Sequence, residues 1–266
     1  MLSPDWGRTS PDYAAHRAGF PEPFFDRLAA LGLAAPGRRA LDVGAGTGAL
    51  ALGLAARGAR VTALDVSAAQ LEAAATAARA RGLRLETRVA PAERTGLPDA
   101  SFDVACAGQC WHWFDGPAAA AELARVLAPT GRLVIAHLDF LDRPGNAVRA
   151  TYDLLREALD PRADPWGVYA GGAWVRHGDR GLYPRWLDHL EGAGFVRPET
   201  FSFDVDLRYR REGWRGRVRA SAIFADERNA PKLAAFDRAL GELLDRRFEP
   251  AFDVPHRVFA LIATRP

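Results

Sequence analysis

The sequence has almost no lysine and very little cysteine. Of its 35 lysine and arginine residues only Lys232 is a lysine, and two cysteines occur among 266 residues. The basic residues are offset by 33 acidic ones, which gives a formal net charge of +2, and no basic run with interleaved aromatic residues is present. Because nucleic-acid-binding proteins concentrate positive charge on one face, the composition predicts no nucleic acid partner.

Long apolar runs are also missing. The longest are alanine-rich segments broken by charged residues, well short of the roughly 20 apolar residues that cross a bilayer. The first residues, Met1 to Asp5, lack the basic and then apolar pattern of a signal peptide. We interpret Cys106 and Cys110 as apolar filler and not as a disulfide or a metal site. These features predict a cytoplasmic protein without membrane contact and without a bound metal.

The composition supports a large core. Hydrophobic residues make up 48% of the chain, so 266 residues can fold as one domain. Short strand-like runs alternate with helical segments up to about residue 141. This alternation predicts an α/β fold with a Rossmann-like, doubly wound and mostly parallel sheet.

A glycine-rich turn follows the first predicted strand. Residues 40–48 read ALDVGAGTG, an apolar strand that leads into Gly44, Gly46 and Gly48 and then into a helix. The free N–H groups at a helix start attract an anionic or polar ligand. Asp65 ends the next apolar run, where a carboxylate can accept hydrogen bonds from both hydroxyls of a ribose. The pattern predicts a site for a cofactor that contains a nucleoside.

Two cofactors fit this pattern. Gly44, Gly46 and Ala49 satisfy the looser dinucleotide pattern, so an NAD(P)-dependent oxidoreductase is one hypothesis. Asp42 and the closer spacing of Gly48 favour S-adenosylmethionine. An acid just inside the strand repels a pyrophosphate and attracts the ammonium of a methionine moiety, directly or through water.

Three further segments resemble a known family. Residues 90–104 read APAERTGLPDASFDV and residues 107–115 read AGQCWHWFD. They resemble the A-E-x-x-x-L-P-D-x-S-F-D and A-x-Q-x-x-H-W-F-D segments of the class I S-adenosylmethionine-dependent methyltransferases, in the methyltransferase type 11 group. A third segment matches the Y-x-x-x-R-x-x-[YF]-P element of that group at Tyr13, Arg17, Phe20 and Pro21. The resemblance covers residues 13–140 and extends more weakly to the end of the chain.

The resemblance implies a particular organisation of the fold. We expect a seven-stranded sheet with an antiparallel edge hairpin and helical cap insertions, all within a single methyltransferase domain. Its cofactor-binding core is predicted at residues 1–141. The cap insertions are predicted at 142–182 and 211–250, and the chain is expected to return to the sheet at 183–210 and 251–266.

The resemblance also implies which residues bind S-adenosylmethionine. The N-terminal element folds over the cofactor in relatives, and the segment after the third strand flanks the adenine. Where many relatives carry an aspartate that binds the adenine amine, this chain has Pro91, so Glu93 or backbone groups around Ala92 are expected to supply that contact. The predicted cofactor-binding residues are Tyr13, Arg17, Asp42, Gly44, Ala45, Gly46, Gly48, Asp65, Val66, Ala92, Glu93, Gly108 and Gln109.

Catalytic and acceptor-binding residues carry weaker signals. His112 follows the fourth predicted strand and His137 ends the fifth, which makes both candidate catalytic residues, although a packing role is the favoured interpretation of each. Aromatic residues near the proposed caps predict a pocket for a mostly apolar or planar molecule, and core packing explains them too. The predicted acceptor-binding residues are Trp111, Trp166, Tyr169, Trp174 and Trp214.

Together these features predict an enzyme that transfers a methyl group from S-adenosylmethionine to a small-molecule acceptor, as a monomer or a homodimer. A sulfonium expels a neutral thioether, so catalysis can depend on proximity and in-line orientation without protonation of a leaving group. Two alternatives remain open at this point. One is an NAD(P)-dependent oxidoreductase, and the other is a non-catalytic regulatory protein that retains the cofactor fold.

Overall fold

The computed structural model describes residues 19–158, 183–225 and 230–266. Its strands are β1 Arg39–Val43, β2 Arg60–Asp65, β3 Leu85–Val89, β4 Phe102–Gly108, β5 Leu127–Phe140, β6 Val196–Arg210 and β7 Ala251–Thr264. Its helices are α1 Glu22–Ala30, α2 Ala49–Ala56, α3 Ala68–Ala80, α4 Gly116–Val126, α5 Ala147–Ala158, α6 Pro184–Gly192, α7 Arg211–Arg219, α8 Ala222–Ala225 and α9 Leu233–Arg247. Short 3-10 helices lie at Trp111–Trp113 and Ala230–Lys232.

The strands form one seven-stranded sheet in the order β3-β2-β1-β4-β5-β7-β6. β1 pairs in parallel with β2 and β4, β2 with β3, and β4 with β5, while β7 is antiparallel in the edge hairpin. This confirms the predicted Rossmann-like sheet. The strand order reverses between β1 and β4, and ligands of open parallel sheets bind at the carboxyl ends of the strands at such a point.

The central strands are buried on both faces. Leu41 and Val43 in β1 and Ala105 and Ala107 in β4 are 0% exposed, as expected where helices cover a parallel sheet. The helices can approach closely because one of the contact residues is glycine. A Cβ on Gly53 in α2 would lie 2.0 Å from the Phe25 ring of α1.

Local capping agrees with the sequence at the start of α3. The Ser67 Oγ accepts the N–H of Gln70 at 3.4 Å, which satisfies one of the free donors of the first helical turn. Of the helices in residues 19–158, 183–225 and 230–266, none is both long enough and apolar enough to span a membrane.

The chain divides into two compact units. We call the first the sheet unit, with described residues 19–138, 183–203 and 258–266, and the second the helical unit, with described residues 139–158, 204–225 and 230–257. Trp214 and Leu240 belong to the buried core of the helical unit. The predicted organisation as a single domain with two caps stays a prediction.

Several boundaries differ from the sequence prediction. Within residues 211–250 the sequence pattern predicts a helix at 231–248, and the structure has α7 in the same segment in addition. Strands are predicted from 202 and 257, whereas β6 and β7 begin at Val196 and Ala251. The first five residues of β6 are exposed, so apolar alternation is weak there and pairing within the sheet defines the start of the strand. In β7, Phe252 and Val254 are buried, so the strand begins before the continuous apolar run from Val258.

Candidate functional site

The glycine turn joins β1 to α2. Gly44, Gly46 and Gly48 have φ angles of 61°, 56° and 88°, in the left-handed region that strains other residues. A Cβ on Gly44 would also lie 2.8 Å from the Sγ of Cys110. Ala45 donates its N–H to the backbone of β2 at 3.0 Å. The turn therefore requires glycine and is tied to the neighbouring strand.

Asp65, the last residue of β2, holds this turn from the other side. Its Oδ2 accepts the N–H of Gly46 and its Oδ1 accepts the N–H of Ser67, each at 2.9 Å. Each carboxylate oxygen has two acceptor positions, so both oxygens keep one for a further donor. Val66, the next residue, is 68% exposed. An apolar surface therefore lies beside a carboxylate that can accept two more hydrogen bonds.

Asp42 lies beneath the glycine turn in β1. It is 1% exposed, and its Oδ2 accepts the N–H of Ala51 in α2 at 2.9 Å. Burial raises the pKa of the Asp42 carboxyl to about 8, the Ala51 N–H opposes this, and the charge of Asp65 adds to it. Near neutral pH the carboxyl is thus largely protonated and anchors α2. Its attraction for a ligand ammonium stays a prediction.

The segment after β3 connects to the start of α4. Ala92 is 3% exposed, Pro91 is exposed, and the Oε1 of Glu93 accepts the N–H of Asp115 at 2.9 Å. This bond holds Glu93 in place, and a carboxylate can accept further donors. The predicted adenine contact through Glu93 or the backbone near Ala92 stays open.

The turn that follows β4, residues 109–115, is called the β4 turn below. Gln109 has a φ of 61°, an uncommon angle for a residue other than glycine. Its backbone N–H donates to Ala136 O and its Nε2 donates to Leu138 O, both at 2.8 Å. Gln109 thereby holds the ends of β4 and β5 together next to Gly108. Strained residues of this kind persist where the surrounding structure fixes them, often at functional sites.

The two candidate catalytic histidines lie together in the sheet unit. The ring centroids of His112 and His137 are 5.4 Å apart, and His137 is 3% exposed. His137 contacts Trp186 at 4.9 Å and Tyr183 at 5.3 Å between centroids. Tyr183 and Trp186 stack at 3.9 Å. The sequence analysis did not identify these two aromatic residues, which lie at the start of α6.

Trp111 occupies an unexpected environment. It is 1% exposed, and its Nε1 donates to the Nδ1 of His189 in α6 at 3.3 Å. Trp113, two residues later, is 36% exposed. The sequence predicted an acceptor contact for Trp111, but the more exposed indole of the β4 turn belongs to Trp113. His189 was missed, because its partner Trp111 is far away in the sequence.

The remaining predicted residues fall elsewhere. Trp214 is 1% exposed in the core of the helical unit, and its Nε1 donates to the Oγ1 of Thr151 at 2.9 Å. The structure thus shows a packing environment for it, and its contact with an acceptor stays a prediction. The predicted residues outside the described part of the chain are Tyr13, Arg17, Trp166, Tyr169 and Trp174.

Both cysteines are buried free thiols. Cys110 donates its S–H to Val43 O at 3.2 Å, and burial raises the pKa of the Cys106 thiol well above its ordinary value. Among the described residues, no group of three or more His, Cys, Asp or Glu side chains is arranged to hold a metal ion.

Comparisons with known proteins identify the family. Residues 41–135 match the family described as "Methyltransferase domain". A solved chain from Anaeromyxobacter dehalogenans, described as a type II methyltransferase, is 30% identical, with a TM-score of 0.60 over 93% of this chain and 97% of that chain. The chain belongs to the S-adenosylmethionine-dependent methyltransferases.

Two other proteins extend this result. The methyltransferase is 38% identical over 132 residues to "Uncharacterized methyltransferase Rv3342" of Mycobacterium tuberculosis, a match that covers 50% of this chain and 51% of Rv3342. It therefore spans about half the length of the curated relatives it matches. It also shares its fold with phosphoethanolamine N-methyltransferase 2 of Haemonchus contortus, at 16% identity and a TM-score of 0.55, over 97% of this chain and 57% of that chain. That structure contains phosphomonomethylethanolamine and S-adenosylhomocysteine.

Family membership identifies S-adenosylmethionine as the cofactor of the methyltransferase, and so decides between the two cofactors that the glycine pattern allowed. The site fits this cofactor. Asp65 keeps acceptor positions suited to a pair of hydroxyls, and the exposed Val66 offers an apolar surface for a flat base.

Proposed function

We propose that this methyltransferase transfers a methyl group from S-adenosylmethionine to a small-molecule acceptor. The proposal rests on the arrangement of Asp65 and the glycine turn. At the carboxyl ends of β1 and β2, Asp65 supports the glycine turn through Gly46 and keeps acceptor positions on both of its oxygens. A ribose offers two adjacent hydroxyl donors, which match those two positions.

The other predicted residues take complementary roles in this proposal. Val66 packs against one face of the adenine, and Glu93 or the backbone near Ala92 binds its polar edge. Gly108 and Gln109, at the end of β4, border the methionine part together with the glycine turn. The hydrogen bonds of Glu93 and Gln109 keep these two side chains in position before a ligand arrives.

The residues of this chain have a limited chemical task. When bound, S-adenosylmethionine supplies a methyl group on a sulfonium, which departs as a neutral thioether. The chain must hold the acceptor in line with that methyl group and exclude water. We assign the role of general base to His112 or His137, whose ring centroids are 5.4 Å apart. A base is needed only for a hydroxyl, an ammonium or an acidic carbon.

Two observations support a small acceptor. His137, which neighbours His112, lies against the stacked rings of Tyr183 and Trp186, an apolar setting suited to a compact molecule. The Haemonchus contortus fold neighbour holds phosphomonomethylethanolamine, which is a small molecule. The net charge of +2 gives no comparable support for a polyanionic acceptor.

Calorimetry on the purified chain tests the cofactor half of the proposal. S-adenosylmethionine and S-adenosylhomocysteine should bind with dissociation constants of about 1–100 μM, and NAD should produce no binding heat. Binding of NAD alone would contradict the proposal and support an oxidoreductase.

A screen with methyl-labelled S-adenosylmethionine tests the acceptor half. Phenols, amines, thiols and carboxylic acids are offered as small acceptors, with a folded protein and a duplex DNA as macromolecular controls. Label in a small product supports the proposal. Tight cofactor binding with no transfer to any small acceptor would instead support a regulatory protein that retains the fold.

A further inference from the structure

The β4 turn presses against the glycine turn. A Cβ on Gly44 would lie 2.8 Å from the Sγ of Cys110 and 3.0 Å from the ring of Phe114. Cys110 is also bonded to Val43 O. Because close-packed groups cannot move independently, a shift of the β4 turn displaces the backbone that the proposed function assigns to the cofactor.

Trp111 fixes the β4 turn from within the protein. Its ring meets Phe114 edge-on, with 5.9 Å between ring centroids. Its Nε1, the polar atom of the indole, donates to the Nδ1 of His189 at 3.3 Å. Leaving a buried donor without its acceptor destabilises the folded protein. The position of Trp111 therefore depends on His189.

This bond requires a neutral imidazole. Nδ1 accepts a hydrogen bond only when it carries no proton, which places the ring proton on Nε2. Loss of the neutral form would replace the acceptor of the Trp111 N–H with a second donor. The position of Trp111 therefore depends on the protonation state of His189.

The surroundings of His189 favour the neutral form. A Cβ on Gly116, the first residue of α4, would lie 2.0 Å from Nδ1, so the ring lies against the start of that helix, where the helix dipole disfavours a cation. The charged groups that face it are Arg185 and Asp188 of α6 and Asp115 at the start of α4. Burial and then Arg185 lower the pKa of His189, and the two acids oppose this.

We propose that His189 is a positioning residue for the cofactor site, acting through Trp111 on the β4 turn. The proposal rests on the proposed function, since it assumes that the glycine turn holds the cofactor. Neutral His189 holds Trp111 in place, and Trp111 in turn keeps Phe114 and Cys110 packed against Gly44. Cofactor affinity then declines as the pH falls through the pKa of His189, which lies below the ordinary histidine value of 6.5, because His189 becomes protonated and its bond with Trp111 is lost.

His189→Asn and His189→Leu introduce side chains of nearly equal shape, and only the first keeps a hydrogen-bond acceptor. Asn places an oxygen where the histidine has Nδ1, whereas Leu places a methyl group there. His189→Leu should weaken the binding of S-adenosylhomocysteine about 3- to 10-fold near neutral pH, which corresponds to one lost hydrogen bond. His189→Asn should bind within about 2-fold of the wild type.

The pH dependence separates positioning from general stability. Calorimetric titrations of S-adenosylhomocysteine from about pH 5 to pH 8 should show affinity falling on the acid side in the wild type. The decline should be absent in His189→Asn, whose acceptor does not titrate. Glu191→Gln, an exposed residue of α6, is the matched control and should retain the wild-type profile. Thermal unfolding of each variant verifies that it is folded.

The outcomes are distinct. Two results would overturn the positioning role and leave the proposed function intact. One is equal affinity for S-adenosylhomocysteine in His189→Leu and the wild type. The other is an affinity that still declines at acid pH in His189→Asn. A folded wild type that does not bind S-adenosylhomocysteine would overturn both proposals. Gly116→Ala provides an independent check, because its methyl group displaces the imidazole without altering His189 or Trp111. It should reproduce the weaker binding of His189→Leu.

Discussion

Asp65 ends β2, yet it fixes a residue of the turn that follows β1, because its Oδ2 accepts the N–H of Gly46 at 2.9 Å. One carboxylate thus shapes the glycine turn and also offers acceptor positions to a ligand. A substitution at Asp65 changes both properties at once, so the comparison of variants has to separate them.

Asp65→Ala should weaken the binding of S-adenosylmethionine by about 2 kcal/mol or more, roughly 30-fold, because a charge-assisted pair of hydrogen bonds is lost. Asp65→Asn keeps one acceptor oxygen and should lose less. Calorimetry measures both dissociation constants, with Glu72→Ala, an exposed acid of α3, as the control. An unchanged dissociation constant in Asp65→Ala would refute the assignment of the ribose site.

Asp42→Asn should make the ligand-free protein more stable and the cofactor complex weaker. The pKa of the Asp42 carboxyl is raised from 3.8 to about 8, so the folded state keeps a proton that the unfolded state releases. Wild-type stability therefore falls as the pH rises through that interval. Asn retains an acceptor for the Ala51 N–H and does not titrate.

Urea unfolding near pH 8 should show a gain of about 1 kcal/mol or more for Asp42→Asn over the wild type, and a smaller gain near pH 5. Calorimetry near pH 8, where a substantial fraction of Asp42 is ionised, should show weaker binding of S-adenosylmethionine, because the ammonium loses an anionic partner. Equal affinity in the two proteins would show that Asp42 serves only to anchor α2.

Thr151→Val should destabilise the helical unit. The substitution keeps the shape of the side chain but removes the acceptor of the Trp214 Nε1–H, a bond of 2.9 Å between two buried side chains. We expect a loss of about 1–3 kcal/mol in the free energy of unfolding. Thr76→Val, at an exposed position of α3, is the matched control and should change stability by less than about 0.5 kcal/mol.

His256 should make the protein sensitive to acid. Burial lowers the pKa of His256 from 6.5 to about 4, Arg217 adds to this, and the bond to Val254 O and the charge of Asp139 oppose it. The unfolded state therefore takes up a proton first, and stability present above pH 6.5 is lost as the pH falls towards 4.

The loss attributable to His256 can reach about 3 kcal/mol over that interval. Urea unfolding at several pH values should show a flatter profile for His256→Phe than for the wild type. A profile with the same slope in both proteins would assign the acid sensitivity to other groups.

The sequence was sufficient to predict those parts of the fold and the site that a local pattern of residues specifies. Gly44, Gly46 and Gly48 predicted a turn between a strand and a helix, and the structure has that turn, with positive φ angles at all three glycines. The apolar runs on either side predicted parallel strands, and the family resemblance supplied the antiparallel edge hairpin. These features depend on residues that are neighbours in the chain.

The sequence did not predict features that depend on contacts between residues far apart in the chain. α7 contains Gly213 and Gly216, which weaken its helical preference, and burial of Trp214 and Val218 in the helical unit stabilises it. The bond between Trp111 and His189 joins residues far apart in the chain. The burial of Asp42, which changes its charge near neutral pH, likewise depends on packing that no local pattern reports.

The imidazole of His189 lies so close to Gly116 that a methyl group there would fall 2.0 Å from Nδ1. The two positions are therefore expected to vary together among related chains. Where position 116 carries alanine or a larger residue, position 189 must carry a smaller side chain or the helix must shift. Random mutagenesis followed by selection for activity should recover changes at these positions as pairs and seldom as single substitutions.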